Sequence, residues 1–517
     1  MAAESQPVVL ESDVPLSQSG LWRMQRDFYA QRGLRAWTED MVPQYITNNP
    51  FIAEIYARIV FGFLRDCGVP AVPLNILELG AGSGKFSYLF LKHLTALMRA
   101  KDTAPGAIHY LMTDSAANLP DAWRANRYLA EFVEAGILRF GQFAAGEESE
   151  AGIVHDKPGP LVVIANYVFD SLPQDAFVIN QGRLLEALVT TKTNGSRPEK
   201  LSDLQISFNN AVVSANRYQD PVWAGILEQY RSRLPGATVL FPAKTLSTLQ
   251  RLSAHTDGRM LVLAADKGCA HEDTLQLAQG PPALEMHAGG QCFSQMVNFD
   301  AIGKYFKATG GAALLPDKHS AGLSICAFLQ GGQVEIFPAT QAAYREAQAA
   351  FAPDDLFALL GWLDPHMDAM SIPQILAVLR LSHWDPVALM RLFPTITRQV
   401  RGVTNARHDL RNAVLSTWAN HFPVTPGENA LAFQCGVILL ELRFFEDALP
   451  MFRASQEALG SSAPTSYNLG LCCIGLDRTS EALAFMIESC ELDPGFEPAK
   501  SARARLEAGE STSSSSQ

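Results

Sequence analysis

The chain has 517 residues, 48% hydrophobic and 18% charged, which is enough for roughly two to four globular domains with sizeable cores. Its formal net charge of −12 argues against nucleic acid or an anionic membrane as a partner held by bulk charge, and no apolar run approaches the roughly 20 residues that span a bilayer. Eight scattered cysteines without a Cys-x-x-Cys pair indicate reduced thiols and no metal site, and an N-terminus without Lys or Arg favours a cytoplasmic protein.

The first part of the chain is predicted to be a flexible leader over residues 1–20 and helical from 21 to 67. From 74 to about 190, apolar runs of strand length alternate with helical patterns, which indicates a mostly parallel α/β sheet. The predicted strands cover residues 75–79, 109–113, 137–140, 161–165 and 176–179.

The most informative segment is residues 76–84, ILELGAGSG, in which an apolar strand ends in an acid and alternate glycines follow. The next stretch, 86–98, has apolar residues along one helical face, so the whole unit is typical of a Rossmann-like nucleotide-binding sheet. Lys85 stands where a dinucleotide fingerprint needs its last glycine, and no Gly-Lys-Ser/Thr ending marks a P-loop. The pattern instead indicates an enzyme that binds S-adenosylmethionine (SAM).

In such an enzyme the glycine loop wraps the amino acid and ribose parts of the cofactor, because glycine lets the backbone approach a ligand closely. The sequence therefore predicts cofactor contacts from Gly80, Ala81, Gly82 and Gly84. Glu78 is expected to orient this loop or the cofactor ammonium. Its alternative role is a buried acid satisfied by the backbone N–H groups of the loop.

Two later strands are predicted to add cofactor contacts at the same sheet edge. The second strand ends in Asp114 and Ser115, and a carboxylate there can accept hydrogen bonds from both ribose hydroxyls. The alternative for Asp114 is a cap of the following helix. Gln142 follows the third strand, where it could reach the adenine amino group.

The fourth strand ends in the sequence 165–173, ANYVFDSLP, whose polar groups face the crevice where ligands bind. Asn166 and Asp170 are the predicted contacts near the methyl group and the incoming nucleophile, and Asn166 is also a predicted cofactor ligand. Asp175 is a secondary catalytic candidate. Asp170 could alternatively be a helix cap.

Beyond this strand, residues 190–200 are predicted to be a surface loop, and 190–255 an insertion that covers the substrate, with a helix over 221–234. Strands at 260–264, 312–315 and 323–328 would complete the sheet and end a methyltransferase domain spanning 21–335.

The remainder of the chain is predicted to be entirely helical. A helical linker domain is expected over 336–425, repeats over 426–510 and a disordered tail over 511–517. Gly436 and Gly470 lie 34 residues apart, as do Ala448 and Ala482, and 34 residues is the tetratricopeptide period. An unrelated helical bundle with a chance period is the alternative.

Residues 165–173 resemble the Ala-Asn-Glu-Phe-Phe-Asp-Ala-Leu-Pro signature of the MidA family of SAM-dependent methyltransferases. That family includes a mitochondrial arginine methyltransferase that helps assemble respiratory complex I. Thr113, Asp114 and Ser115 with Leu119 are similar to a second family segment, and residues 297–302 to a third. The resemblance covers about residues 50–330 and implies methyl transfer from SAM, with a family Glu at Glu186.

The sequence departs from that family at three places. Ala81 replaces the proline of the glycine loop, Tyr167 replaces the acid of the Asn-Glu pair, and Asp266-Lys267-Gly268 replaces Asp-Tyr-Gly. Arginine methylation generally needs carboxylates to hold the guanidinium, so the loss of an acid at 167 argues against arginine unless other acids compensate.

Three functional hypotheses follow from the sequence. The first is a SAM-dependent methyltransferase acting on arginine or another nitrogen side chain of a protein that the helical repeats recruit. The second is a small-molecule O- or N-methyltransferase that uses the repeats for homodimerisation. The third is an assembly factor that binds SAM without transferring methyl groups.

Overall fold

The computed structural model describes residues 7–39, 41–42, 45–68, 72–145, 158–194, 198–214, 217–317, 322–332, 334–350 and 353–508. The chain forms two compact units, and the boundary lies between Asp354 and Asp355. The sequence placed this boundary about twenty residues earlier, near 335.

The first unit contains all the described strands. In chain order they are β1 (Val8–Pro15), β2 (Leu74–Leu79), β3 (Ile108–Asp114), β4 (Leu138–Gln142), β5 (Gly159–Asn166), β6 (Asp175–Asn180), β7 (Arg183–Thr193), β8 (Leu204–Val212), β9 (Thr238–Phe241), β10 (Thr256–Asp266), β11 (Gly268–Cys269), β12 (Glu285–His287), β13 (Cys292–Ser294), β14 (Val297–Asn298), β15 (Ala312–Leu314) and β16 (Ser324–Gln330).

The helices of the first unit connect and cover these strands. They are α1 (Leu21–Arg32), α2 (Arg35–Thr38), α3 (Pro50–Asp66), α4 (Lys85–Ala100), α5 (Leu119–Arg124), α6 (Ala130–Glu134), α7 (Pro221–Arg233), α8 (Ala243–Ala254), α9 (Glu272–Gln276), α10 (Phe299–Ala308) and α11 (Pro338–Ala350).

The main sheet has seven strands in the order β15-β16-β10-β5-β2-β3-β4. The five strands from β10 to β4 run parallel, and β16 is antiparallel to both of its neighbours. Strand β2 is buried along its whole length, including the polar residues Asn75 and Glu78, as expected for a central strand of a parallel sheet. This arrangement confirms the predicted α/β fold.

The order reverses between β2 and β5, since β3 and β4 lie on one side of β2 and the later strands on the other. The carboxyl ends of β2 and β5 therefore diverge into a crevice, which is where ligands bind in open α/β sheets. The connection from β2 to β3 passes through α4, which packs beside α3.

A second sheet has the order β1-β7-β6-β9, in which β1 and β6 pair with different stretches of β7. Strand β8 also pairs with β7, along residues 185–193. Three sequence predictions were wrong here. Residues 8–15 are a strand paired with β7 and not a leader, the strand at 176–179 belongs to this sheet and not to the main one, and residues 190–193 extend β7. The remainder of the predicted loop includes 195–197, which lie outside the described residues.

The added layer is therefore larger than the predicted insertion at 190–255. It starts at Asp175, and it recruits the N-terminal strand by antiparallel pairing between Val8 and Thr193. Sequence periodicity could not reveal this, since the pairing of Val8 with Thr193, 193 − 8 = 185 residues away, has no local signal.

The second unit is helical throughout its described residues. Its helices are α12 (Pro353–Leu363, which begins at the boundary), α13 (Ile372–Leu381), α14 (Pro386–Gln399), α15 (Arg407–Ala419), α16 (Leu431–Glu441), α17 (Phe445–Leu459), α18 (Ala463–Gly475), α19 (Thr479–Leu492) and α20 (Glu497–Glu507). The contacts group them into one unit, without the predicted division at 425. The predicted tail at 511–517 lies outside the described residues.

Two helical hairpins of this unit, α16–α17 and α18–α19, carry the residues that repeat in the sequence. A Cβ on Gly436 would lie 2.8 Å from Phe452, and one on Gly470 would lie 2.6 Å from Met486. Ala448 and Ala482 are fully buried in the second helix of each pair. Equivalent small residues thus let each pair of helices approach closely. Among the described residues, no helix is long and apolar enough to cross a membrane.

Candidate active site

The first unit contains a cavity of about 570 Å³ at the carboxyl ends of the central parallel strands. Its lining includes the loop after β2 and the residues that end β3 and β5. Side chains from α1 and from the segment that follows it line the cavity as well. The volume is in the ordinary range for a small-molecule site.

The glycine loop forms one wall of this cavity with Gly80, Ala81 and Gly82. Gly80 and Gly82 have φ values of +66° and +53°, which side chains rarely adopt. A Cβ on Gly82 would also lie 2.7 Å from Cε2 of Trp37, so any side chain there would displace the tryptophan. Gly84 does not line the cavity; it begins α4 in the left-handed conformation, so its predicted role as a cofactor contact becomes a structural one.

Glu78 lines the cavity from the end of β2 and is 4% exposed. Its Oε2 accepts hydrogen bonds from the Ser87 hydroxyl and from the Tyr110 hydroxyl at 2.8 Å. Burial raises the pKa of this carboxyl to about 7. Side chains of α4 and β3, and not the backbone N–H groups of the loop, therefore hold Glu78 in place.

Asp114, the last residue of β3, accepts hydrogen bonds from the glycine loop and from the loop that follows β3. Its Oδ2 accepts from the Gly82 N–H and its Oδ1 from the Ala116 N–H, both at 3.1 Å. Asp114 and Ser115 both line the cavity. Burial raises the pKa of the Asp114 carboxyl. Asp114 thus holds the glycine loop while its carboxylate lines the cavity, and it does not cap α5, whose start has no side-chain cap.

Gln142 does not line the cavity, contrary to the expected adenine contact. Its side chain is exposed and donates to the Ser115 carbonyl at 3.1 Å. The next residues, Phe143, Ala144 and Ala145, form the wall at this point. The strand alternates, so the face that the sequence assigned to Gln142 belongs to its neighbour.

Asn166 lies at the end of β5 and lines the cavity. Its Oδ1 accepts from the Tyr56 hydroxyl at 2.8 Å, whereas its buried Nδ2 has no partner among the described residues. A buried amide donor without a partner is costly, so a ligand oxygen is expected there. The next residue, Tyr167, has a φ of +53° and also lines the cavity. Left-handed backbone at a bulky residue stores strain, as is common beside ligand sites.

Asp170 lines the cavity and is paired with a second buried acid, Asp266. Asp266 Oδ2 accepts from the N–H groups of Phe169 and Asp170 at 3.0 and 3.3 Å, so it shapes the turn that carries Asp170. Burial raises the pKa of Asp266 well above its ordinary value. Burial also raises the pKa of Asp170 to about 6, against the lowering by hydrogen bonds from Ser171 and Asp266. Asp266 therefore has the more strongly raised pKa of the pair, and Asp170 is the carboxyl that faces the cavity.

Asp175 is not part of the cavity wall, and the expectation that it acts in catalysis is not supported by its position. Its oxygens accept from the hydroxyls of Ser17 and Tyr218. Glu186 is likewise occupied, since Arg217 contacts both of its oxygens at 3.2 and 3.4 Å. Neither acid replaces the family carboxylate lost at Tyr167.

Several cavity residues were not identified from the sequence as site residues. They come from α1, from the segment after it, from the start of α8, from the residue after β10 and from β12, and they are Trp22, Gln25, Arg26, Tyr29, Trp37, Lys244, Lys267 and His287. The helical stripe over 21–32 gave no hint of a role, because an amphipathic helix that closes a cavity has the same pattern as one that packs on a core.

Comparison with known proteins finds a family model that is similar to part of the first unit. Residues 55–311 match the model of a family described as "Putative S-adenosyl-L-methionine-dependent methyltransferase". No curated protein matches the sequence.

Two solved structures from Burkholderia thailandensis are similar to this chain. The first, described as a "likely methyl transferase" bound to S-adenosyl-homocysteine, has 16% identity and a TM-score of 0.43 over 63% of this chain and 90% of that one. The second, a native structure of an uncharacterized protein of the same superfamily, has 17% identity and a TM-score of 0.41 over the same shares. The sheet unit is a SAM-dependent methyltransferase, and SAM is its cofactor.

The residues of the cavity fit this cofactor. The loop at Gly80 and Gly82 presents backbone without side chains, Asp114 offers a carboxylate for hydroxyl groups, and Asn166 offers an unpaired donor. Glu78 and Asp170 add carboxylates for a cofactor that carries an ammonium and a sulfonium.

Proposed function

We propose that this protein transfers the methyl group of SAM to a hydroxyl or amine held beside Asp170. The observation that carries this proposal is a buried pair of acids of which Asp170 lines the cavity, while Asp266 lies behind it and has the more strongly raised pKa. A pKa of about 6 leaves Asp170 ionised at neutral pH, which suits a general base.

The mechanism assigns a separate task to each of these residues. SAM supplies a methyl group whose leaving thioether is neutral, so no acid is needed on the leaving side. As the acceptor atom forms its bond to the methyl carbon, the bond from that carbon to sulfur breaks with its electron pair on sulfur. Asp170 takes the proton of the acceptor, Asp266 holds the Asp170 turn, and the α1 side chains exclude water from the cavity.

A second candidate is methylation of a protein that the helical unit recruits in the cytoplasm, with arginine or another nitrogen side chain as the acceptor. The paired hairpins with their 34-residue spacing support tetratricopeptide-like repeats, a fold that commonly binds peptides. The resemblance to the MidA family supports it as well. Arginine is the less favoured acceptor, because Asp175 and Glu186 already have hydrogen-bond partners and neither is available to hold a guanidinium.

Transfer of a labelled methyl group from SAM into a lysate of the source organism tests these alternatives. We expect label transfer with the wild-type chain and at least a 100-fold loss with Asp170→Asn. A labelled protein band would favour the second candidate, and label in the small-molecule fraction a small acceptor. Absence of label from protein that binds SAM would contradict the proposal and favour a SAM-binding assembly factor.

A further inference from the structure

The cavity contains a buried hydrogen-bond donor that no described protein group satisfies, at the end where the methyl acceptor is proposed to bind. Gln25 of α1 is 2% exposed and lines the cavity. Its Oε1 accepts from the Phe293 N–H at 3.1 Å, and because a backbone N–H can only donate, the orientation of the amide is fixed. Its Nε2 must then be the donor, and this buried atom has no partner among the described residues. Leaving a buried donor unsatisfied is unfavourable, so a ligand oxygen is expected at this place.

A cation lines the same cavity. Lys244 is half-buried in the first turn of α8, a helix whose start has no side-chain cap. Its ammonium forms no ion pair with any residue that the structure describes. A lysine near a helix N-terminus is opposed by the helix dipole, so both features attract an anion.

The packing brings these two donors to one end of the cavity. Trp22, one turn before Gln25, shares a hydrophobic cluster with Ala176 and Leu240. Phe241, which leads into Lys244, pairs with Asp175 a few residues after Asp170. Tyr29, one turn after Gln25, interacts electrostatically with Asp170.

The charge of Lys244 is not neutralised by Lys267 or His287, which line the same cavity. Lys267 is paired with Glu285 at 2.7 Å. His287 contacts the Ser294 hydroxyl at 2.9 Å, and burial lowers its pKa, so it is neutral at neutral pH. Asp170 is the carboxylate left to handle the acceptor proton.

From these observations, and resting on the proposed function, we infer that the methyl acceptor is a small molecule carrying a carboxylate, which Gln25 Nε2 and Lys244 hold while its hydroxyl or amine lies beside Asp170. Two donors, one of them charged, match the two oxygens of a carboxylate. A guanidinium or ammonium in that place would face Lys244 and find no acceptor on Gln25. The α1 side chains that line the cavity restrict its space, which favours a small acceptor over a protein segment.

The test is a calorimetric titration of the full-length chain, saturated with S-adenosylhomocysteine, with three probes of one shape. They are 4-hydroxybenzoate, 4-hydroxybenzyl alcohol and tyramine, which carry a negative, a neutral and a positive group. We expect 4-hydroxybenzoate to bind about 10-fold or more tightly than the other two, as a charge-assisted hydrogen bond would give.

Gln25→Glu is the sharpest variant, because it keeps the oxygen that accepts from Phe293 and replaces only the donor. This variant should lower the affinity for 4-hydroxybenzoate about 10-fold or more and raise the affinity for tyramine. Lys244→Met should lower the affinity for 4-hydroxybenzoate, and Lys244→Arg should keep it near the wild-type value. Lys307→Met, on the exposed face of α10, is the control and should leave the affinity unchanged.

Equal binding of the three probes, no binding of any at millimolar concentration, or a preference for tyramine would overturn the assignment of the acceptor. Failure of S-adenosylhomocysteine itself to bind would overturn the proposed function on which the assignment rests. The two failures are separated because the cofactor product is titrated first.

Discussion

At the residue scale, the account depends most on Asp170. If this carboxylate takes the acceptor proton, kcat/KM should rise with pH and reach half of its plateau near pH 6, since the protonated form below that pH cannot act as a base. Asp170→Asn should lose about 100-fold or more in kcat/KM and lose this pH dependence. Asp175→Asn is the matched control, a buried acid outside the cavity wall that should keep the midpoint near 6.

Glu78 provides a second residue-scale prediction, on stability. Burial raises its pKa from 4.5 to about 7, so the folded state holds this proton more tightly than the unfolded chain does. The contribution of this residue to stability is therefore largest below pH 4.5 and is lost as the pH rises to about 7. Without cofactor, Glu78→Gln should remove a difference of about 3 kcal/mol between these limits. Urea unfolding of both proteins over this pH range measures it, and parallel curves would contradict it.

Single residues also show what the sequence could predict about the site. Asp114, Asn166 and Asp170 were found because each follows an apolar strand, and the ends of parallel strands meet at one sheet edge. Gln25 and Lys244 were missed because they come from distant segments, which only tertiary packing brings to the cavity. Gln142 was misassigned by a single position along its strand.

At the element scale, the glycine loop should tolerate no side chain at position 82. Gly82→Ala and Gly136→Ala both place a Cβ at positive φ, with similar backbone strain, but only the Cβ at 82 has a neighbour, Trp37, at 2.7 Å. We expect Gly136→Ala to lose about 1 kcal/mol of stability and Gly82→Ala to lose more because its Cβ displaces Trp37, and only Gly82→Ala to lose affinity for S-adenosylhomocysteine, by about 10-fold or more. Equal affinities of the two variants would show that the loop does not contact the cofactor.

Elements also differ in how far the sequence predicted them. All seven main-sheet strands were predicted, because most of them are largely apolar runs of strand length bounded by turns. The second sheet was predicted only in part. Strand β8 alternates between half-buried and exposed residues and β1 is largely exposed, so neither has the hydrophobic contrast that marks a strand.

At the scale of the whole molecule, the chain should unfold in two steps, because its contacts divide into two units. Only the first unit contains the cavity, so S-adenosylhomocysteine at 100 times its Kd should stabilise that unit by about 2.7 kcal/mol and leave the other transition in place. Differential scanning calorimetry with and without the compound measures both transitions. A single transition that moves as a whole would contradict independent units.

The central claim is that the cavity at the carboxyl ends of β2 and β5 holds SAM with its reactive end toward Asp170. A crystal structure of the full-length chain with S-adenosylhomocysteine tests it most directly. The account predicts the amino acid part against Gly80–Gly82, a ribose hydroxyl within hydrogen-bond distance of Asp114, and the sulfur at the end of the cavity that Asn166 and Asp170 line. A sulfur atom turned away from both residues, or density outside this cavity, would contradict it.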